Sequence, residues 1–210
     1  MLRRASYIKN LAVELEAIAA AHPGKTLQLW FEDEAREGQK GRTGHRWFTR
    51  GVRPPGRCDK RFLSTYIFAA IRPGTDEAFA LVLPEATAAT MDLFLACFSE
   101  TLPSGVHAAL VLDGAGWHGK AALNVPDNVT LLTLPPYSPE LNPVERVWLY
   151  LRERYLSFRL HQDEQAIVDA LCTAWNALRA ETGRLTTLTN YPWIVTAHPG
   201  QGAVCPCRVC

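Results

Sequence analysis

The apolar residues of this chain recur with two periods, one typical of helices and the other of buried strands. Residues 5–21 carry an apolar residue every three or four positions and are followed by His22-Pro23-Gly24, which predicts an amphipathic helix that ends there. The same period predicts helices at 87–98, from Asn142 onward, and at 163–178. The predicted inward faces of these three helices contain Met91, Phe94, Leu95 and Phe98; Val144, Val147, Trp148 and Leu151; and Ile167, Ala170, Leu171 and Trp175.

Apolar and β-branched runs of strand length predict the sheet. They lie at 27–33, 62–71, 78–83, 108–113 and 129–134, with a further short strand candidate around Trp47 and Phe48. Turn residues separate the early runs, which predicts a meander. The run at 108–113 follows a helix, and the order strand, helix, strand favours parallel pairing with a right-handed crossover.

This order of elements predicts a mixed α/β sheet flanked by helices, with a ribonuclease-H-like topology. We divide the chain into an N-terminal lead-in helix at 1–24, the ribonuclease-H-like domain at 25–185 and a partly disordered C-terminal tail at 186–210. The 210 residues, 48% of them apolar, can bury the core of one such domain and leave little room for a second.

The sequence predicts neither export nor membrane insertion. Glu14 and Glu16 interrupt the apolar stretch that a secretory signal would need, and no run approaches the roughly 18 apolar residues of a membrane span. We therefore expect a reducing cytoplasm. Cys205, Cys207 and Cys210 form a C-x-C-x-x-C cluster that is either a soft-metal site or part of a disordered tail.

Three carboxylates stand at the ends of elements that the pattern predicts to be buried. Asp33 and Asp113 each end an apolar strand, and Glu145 lies on the first turn of the helix that follows Asn142. Carboxylate oxygens suit Mg²⁺, and two such ions stabilise the attacking and leaving oxygens of phosphodiester cleavage. We therefore expect a site for two Mg²⁺ ions, with Mn²⁺ as a substitute, in which Asp33 bridges both ions.

Each carboxylate also has an ordinary structural explanation. Asp33 can be a solvated strand end, although strand alternation places the two flanking glutamates on the opposite face. Asp113 can be a turn former, and Asn142 with Glu145 fits a capping box. The combination of the three carboxylates, not any one of them, favours the metal site.

The formal net charge is only +1, but positive charge is concentrated between residues 36 and 61. That segment has nine lysines and arginines against two acids, an excess that can steer a polyanion. The candidate DNA contacts are Arg42, Arg46, Trp47, Arg50 and Arg53, together with His118, which follows Asp113. The alternative is a hairpin with a buried Trp47 and solvated arginines, and an ordinary surface histidine.

Three segments around these residues resemble the acidic motifs of a known family. They are Phe31-Glu32-Asp33-Glu34-Ala35-Arg36, Leu112-Asp113-Gly114-Ala115-Gly116-Trp117-His118 and Leu134-Pro135-Pro136-Tyr137-Ser138-Pro139-Glu140-Leu141-Asn142-Pro143-Val144-Glu145. The third is highly specific. With weaker similarity at 47–54 and 191–194, they resemble the catalytic part of a bacterial transposase of the insertion-sequence-630 family, in the mariner superfamily.

The resemblance implies a DDE endonuclease domain in which Asp33, Asp113 and Glu145 form the catalytic, metal-binding triad. Such an enzyme cuts transposon ends and joins the freed 3′ hydroxyl to target DNA. Its partners would be double-stranded transposon-end and target DNA, on which it forms a homodimer or a larger assembly, with no membrane partner. The resemblance thus implies a nucleoid-associated protein of the cytoplasm.

Members of that family usually carry N-terminal helix-turn-helix modules, whereas one helix precedes the first catalytic strand here. We expect either a separate helix-turn-helix product that recognises the transposon ends or a truncated remnant. Two other functions stay open. One is a non-catalytic or decayed transposase fragment that acts as a DNA-binding or inhibitory partner; the other is a structure-selective nuclease or a glycosidase with paired carboxyl groups.

Overall fold

The computed structural model describes residues 2–39, 47–52, 61–114 and 123–197. Its helices and strands are α1 (Leu2–Ala21), β1 (Thr26–Gly38), β2 (Ser64–Ile71), β3 (Ala78–Leu83), α2 (Ala88–Thr101), β4 (Val106–Leu112), β5 (Val129–Thr133), α3 (Val144–Leu151), α4 (Glu164–Ala180), α5 (Arg184–Thr189) and α6 (Pro192–Ala197). A 3₁₀ turn at Pro139–Leu141 precedes α3 and a π-helical turn at Arg152–Leu156 follows it. Within these ranges no helix combines the length and the apolar character needed to cross a membrane.

The five strands of the described ranges form one mixed sheet in the order β3-β2-β1-β4-β5. The first three strands are antiparallel neighbours in a meander, whereas β4 pairs parallel with β1 and β5 parallel with β4. The predicted mixed sheet flanked by helices is confirmed. The crossover through α2 carries the chain past two strands, so β4 pairs with the central β1 and not with β3.

Each face of the sheet carries its own apolar core, because the side chains of β1 alternate between the two faces. Leu29 and Phe31 pack with residues of α1, α3 and α4, whereas Trp30 packs with the aromatic residues of α2. Burial on both faces explains why β1 is apolar at successive positions. The predicted inward faces are confirmed, since their buried residues are Met91, Phe94, Leu95, Phe98, Val144, Val147, Trp148, Leu151, Ile167, Ala170, Leu171 and Trp175.

The strand β1 is longer than its apolar run predicts. It continues through the acidic stretch to Gly38 because β2 pairs with it along its whole second half. At Gly38 a Cβ atom would lie 2.7 Å from the carbonyl oxygen of Leu63, so this end of the ladder requires glycine. The prediction of a short strand around Trp47 and Phe48 is wrong. Residues 47–52 contain no strand, and both aromatic side chains are exposed, without the alternating burial that a strand needs.

The long helix expected from Asn142 begins at Val144, and its α-helical part ends at Leu151. The π-helical turn then brings Tyr150 and Tyr155, five residues apart, to the same side. Both hydroxyl groups donate to the carboxylate of Glu181. This shared long-range acceptor accounts for the change of helical geometry.

The segment that we assigned to the tail contributes buried residues to the folded core as far as Ile194. They lie in α5 and α6, and Trp193 and Ile194 are buried. The Trp193 ring meets the rings of Tyr7 and Phe31 edge-on. Contacts with α1 and β1 order this segment, a tertiary effect that a short, weakly periodic sequence does not reveal. Residues 198–210 lie outside the described ranges, and the domain boundaries stay predictions.

Candidate active site

Asp33 and Asp113 lie just beyond the point where the parallel pairing of β1 with β4 ends. The strands β1 and β4 are in register from Thr26↔Val106 to Phe31↔Val111. Two residues beyond Phe31 and Val111, each chain reaches an aspartate, and the even spacing places both on the same face of the sheet. That face is the one covered by α1, α3 and α4.

The start of α3 brings Glu145 to the same edge. The side chain of Asn142 fixes this start, because its Nδ2 donates to the carbonyl of Glu32 at 3.0 Å and its Oδ1 accepts from the N–H of Val144 at 3.1 Å. Asn142 is buried, so both bonds are shielded from water. The sequence indicated a capping box of Asn142 with Glu145, but Pro143 occupies the N-cap position and the Asn142 side chain instead bonds to Val144 and to β1.

Trp148 orients Asp33. Its indole Nε1–H donates to Oδ2 of Asp33 at 2.9 Å, and its side chain is buried. Residues 145 and 148 are three apart on a helix and therefore lie on the same side of α3. One helix thus supplies a carboxylate and a positioning donor, whereas the sequence indicated Trp148 only as a core residue.

The three carboxylates line one cleft of about 420 Å³. The segment 134–139, which contains three prolines and an exposed tyrosine, also lines this cleft. Residues far apart in the sequence therefore line one cleft, although Asp33 lies inside β1 and not at its end as the apolar run predicted.

The pKa of Asp33 is raised well above its ordinary value. Burial is the main cause, followed by the charges of Glu145, Glu34 and Asp113, while the hydrogen bond from Trp148 opposes the shift. Like charges close together in a partly dehydrated cleft are unfavourable unless a cation or a proton compensates them.

Glu32 occupies the other face of β1, as strand alternation predicts. Its side chain is fully buried, and neither carboxylate oxygen has a hydrogen-bond partner among the described residues. Burial, and then the charges of Glu34, Asp33 and Asp113, raise its pKa well above the usual range. Glu32 therefore favours its neutral form and stands behind the cleft instead of lining it.

The oxygen ligands that line the cleft are of the type that a hard divalent cation prefers. Asp33, Asp113 and Glu145 offer carboxylate oxygens, and positive charge would relieve their repulsion. Within the described ranges, however, no three Asp, Glu, His or Cys side chains are grouped closely enough to hold one ion as they stand. Glu145 is exposed, so its side chain has room to rotate toward the aspartates.

The proposed DNA contacts are only partly described. Arg42, Arg46, Arg53 and His118, like the C-terminal cysteines, lie outside the described ranges. Trp47 and Arg50 are exposed, and neither is among the described residues that line the cleft. The alternative of a buried Trp47 is thus wrong, whereas a role in DNA binding stays a prediction.

Glu37, four residues beyond Asp33 on β1, is a buried carboxyl group outside the cleft. Burial raises the pKa of Glu37 to about 7, against smaller opposing effects of Arg152 and of the Gly38 N–H. The pKa in the unfolded chain is about 4.3, so the folded state binds the proton more tightly. The stability that this proton provides is lost as the pH rises from about 4.3 to about 7.

Replacing Glu37 by glutamine should therefore stabilise the protein more at pH 8 than at pH 5, by about 2 kcal/mol. Urea unfolding of both proteins at the two pH values measures this difference. The control is Glu85→Gln, since Glu85 is exposed and the same substitution there measures the effect of removing a surface carboxylate. A Glu37→Gln effect equal at both pH values would contradict the raised pKa.

The sheet and its acidic cleft define the class of protein. A mixed five-stranded sheet flanked by helices, with two carboxylates where the pairing of its adjacent parallel strands ends, is a ribonuclease-H-like domain. The chain belongs to the DDE superfamily endonuclease family, whose model matches residues 28–168. The matched stretch contains all three carboxylates of the cleft.

The chain is similar to one known protein in sequence and to others in structure. The chain is 43% identical over 128 residues to the uncharacterized protein y4pE/y4sA of Sinorhizobium fredii (strain NBRC 101917 / NGR234), a match that covers 61% of this chain and 95% of that protein. The Mos1 transposase paired-end complex with left transposon end matches with a TM-score of 0.62 at 16% identity, over 96% of this chain and 62% of the Mos1 chain. The Mos1 strand transfer complex matches with a TM-score of 0.60 at 16% identity. This match covers 88% of this chain and 55% of the Mos1 chain.

The similarity to Mos1 shows a shared fold. This chain spans less than two thirds of the Mos1 chains that it matches. The stretch that the family model matches contains most of β1, the other four strands, the lining of the cleft and α3.

Proposed function

We propose that this chain is the catalytic domain of a bacterial transposase of the insertion-sequence-630 family. It cleaves DNA at transposon ends and transfers the 3′ hydroxyl to target DNA. The observation that carries this proposal is the meeting of Asp33, Asp113 and Glu145 in one cleft inside the region that matches the DDE endonuclease family. The resemblance of the segment 134–145 supports the choice of subgroup.

In this proposal the three carboxylates hold two Mg²⁺ ions, for which Mn²⁺ substitutes. When bound, such ions stabilise charge on the attacking and leaving oxygens of the phosphodiester. Asp33 would be a ligand of these ions, and Trp148 holds one of its oxygens in place. Asn142 keeps α3 against β1 and so maintains the position of Glu145. Mos1 paired-end complexes have been solved with Mn and with Mg, which supports this metal use.

DNA is the proposed partner. Mos1 is solved as a paired-end complex with a transposon end and as a strand transfer complex, and the shared fold supports the same substrate class here. We place Arg42, Arg46, Trp47, Arg50 and Arg53, with His118, on the DNA. A homodimer or larger assembly forms on the DNA, a separate helix-turn-helix product recognises the ends, and the protein associates with the nucleoid.

A plasmid assay tests the activity without requiring recognition of a particular end. The purified chain is incubated with supercoiled plasmid and a short duplex with a free 3′ hydroxyl, in Mn²⁺ or in EDTA. We expect nicked plasmid and covalent joining of the duplex in Mn²⁺ alone. Equal nicking in EDTA would contradict metal-dependent chemistry, and absence of both products in Mn²⁺ would contradict catalysis and favour a non-catalytic DNA-binding partner.

A further inference from the structure

Tyr137 is an exposed aromatic residue at the mouth of the acidic cleft. Its side chain is 99% exposed, yet the residue lines the same cleft as Asp33, Asp113 and Glu145. A side chain this exposed contributes almost no buried apolar area to the fold. Stability of the domain therefore does not explain an aromatic ring at this position.

The backbone of Tyr137 is held in an unfavourable conformation. Its φ angle is +58°, in the left-handed region that bulky side chains rarely adopt. Prolines on both sides restrict the segment, and its two ends are anchored. Leu134 donates its N–H to the carbonyl of Leu112 at 2.8 Å, and Leu141 is buried. A rigid turn thus presents the ring to the cleft mouth.

A strained backbone at a functional site is maintained when the geometry that it imposes is used. In the proposed function, a phosphodiester that reaches the three carboxylates brings its bases to the mouth of the cleft, where Tyr137 stands. An unpaired nucleobase exposes a flat face that stacks on an aromatic ring whatever the base. A base inside an intact duplex has both faces covered by its neighbours.

We propose that Tyr137 is a positioning residue that stacks on an unpaired nucleobase next to the scissile phosphate. This inference rests on the proposed function and deepens it, because it specifies the form of DNA that the cleft accepts. The DNA is unpaired at the point where it enters the cleft. Stacking fixes the neighbouring phosphate relative to Asp33, Asp113 and Glu145.

Two substitutions separate the ring from the backbone. Tyr137→Phe keeps the ring, whereas Tyr137→Asn removes it and retains a side chain that tolerates a positive φ angle. Two duplexes of equal length serve as probes, one with blunt ends and one with a 3′ single-stranded overhang that carries 2-aminopurine. Binding is followed by anisotropy and by 2-aminopurine quenching in Ca²⁺, which binds carboxylate oxygens without meeting the near-octahedral geometry of Mg²⁺.

We expect the wild-type and Tyr137→Phe proteins to quench 2-aminopurine and to bind the overhang about tenfold more tightly than Tyr137→Asn does. Affinity for the blunt duplex should agree within about twofold among all three proteins, because no unpaired base is available to stack. Equal unfolding temperatures establish that the asparagine variant is folded.

Three outcomes would overturn the stacking role. They are absence of quenching with the wild-type protein, equal affinity of Tyr137→Asn and wild type for the overhang, or an equal loss of affinity on both probes. The assay detects binding and not catalysis. A failure of the plasmid reaction therefore leaves this result interpretable, and a failure of stacking leaves the assignment of the carboxylates unaffected.

Discussion

Replacing Asp113 by asparagine is expected to reduce Mn²⁺-dependent nicking and joining by at least about 10³-fold, since metal ions contribute several kcal/mol to the transition state. Asparagine has the same shape but lacks the charge that holds a cation. Asp113 follows β4 at the cleft, so the substitution should leave the apolar cores unchanged. The rates of plasmid nicking for both proteins at equal Mn²⁺ concentration measure the effect.

The matched control for Asp113→Asn is Asp127→Asn. Asp127 is exposed in the turn before β5 and does not line the cleft. Its substitution removes the same charge and should leave the nicking rate unchanged. Wild-type activity in Asp113→Asn would refute the role of Asp113, and equal losses in both variants would show an effect of net charge instead of a site.

Replacing Asp33 by asparagine should stabilise the metal-free protein while it abolishes activity. The pKa of Asp33 is raised by burial and by the charge of Glu145, so ionised Asp33 costs folding energy at neutral pH. Removal of that charge should therefore stabilise the metal-free protein. The oxygen of asparagine can still accept the hydrogen bond from Trp148.

Thermal unfolding in EDTA and in Mn²⁺ tests whether Asp33→Asn stabilises the metal-free protein and removes the effect of the cation. In EDTA the Asp33→Asn protein should unfold at a higher temperature than the wild type. Mn²⁺ should raise the unfolding temperature of the wild type and leave that of the variant nearly unchanged, since binding to the folded state stabilises it. A lower unfolding temperature of the variant in EDTA would contradict the electrostatic cost that we assign to Asp33.

The main elements of the fold could be predicted because their buried positions are occupied by apolar residues at strand or helix spacing. The central strand β1 is apolar at successive positions, and α2, α3 and α4 show their buried faces at helical spacing. Asp33 and Asp113 could be placed together once both were seen to end apolar strands. The sequence alone could not show their register, which depends on the pairing of β1 with β4.

Features that depend on long-range contacts escaped prediction. The extension of β1 to Gly38 depends on backbone pairing with β2, and the burial of Trp193 depends on contacts with Tyr7 and Phe31. Periodicity contains no information about either. In the site, the bonds of Asn142 and Trp148 to β1 were missed for the same reason, because each residue already had a sufficient local explanation as a cap or as core.

The cleft therefore contains carboxylates that repel each other, and hydrogen bonds from neighbouring residues keep them in place. Asp33 and Glu145 repel each other, while Asn142 and Trp148 hold α3 against the strand that carries Asp33. Functional sites commonly retain such unfavourable arrangements because the rest of the fold compensates for them. In the proposed enzyme, the binding of cations converts this repulsion into ligand affinity.

Anomalous diffraction from crystals of the protein soaked in Mn²⁺ tests the central claim most directly. The account predicts manganese peaks in the cleft, roughly 2.0–2.3 Å from carboxylate oxygens of Asp33, Asp113 and Glu145. The same peaks should be missing from crystals of Asp33→Ala. Manganese bound only elsewhere, or a cleft without a peak at saturating Mn²⁺, would contradict the account.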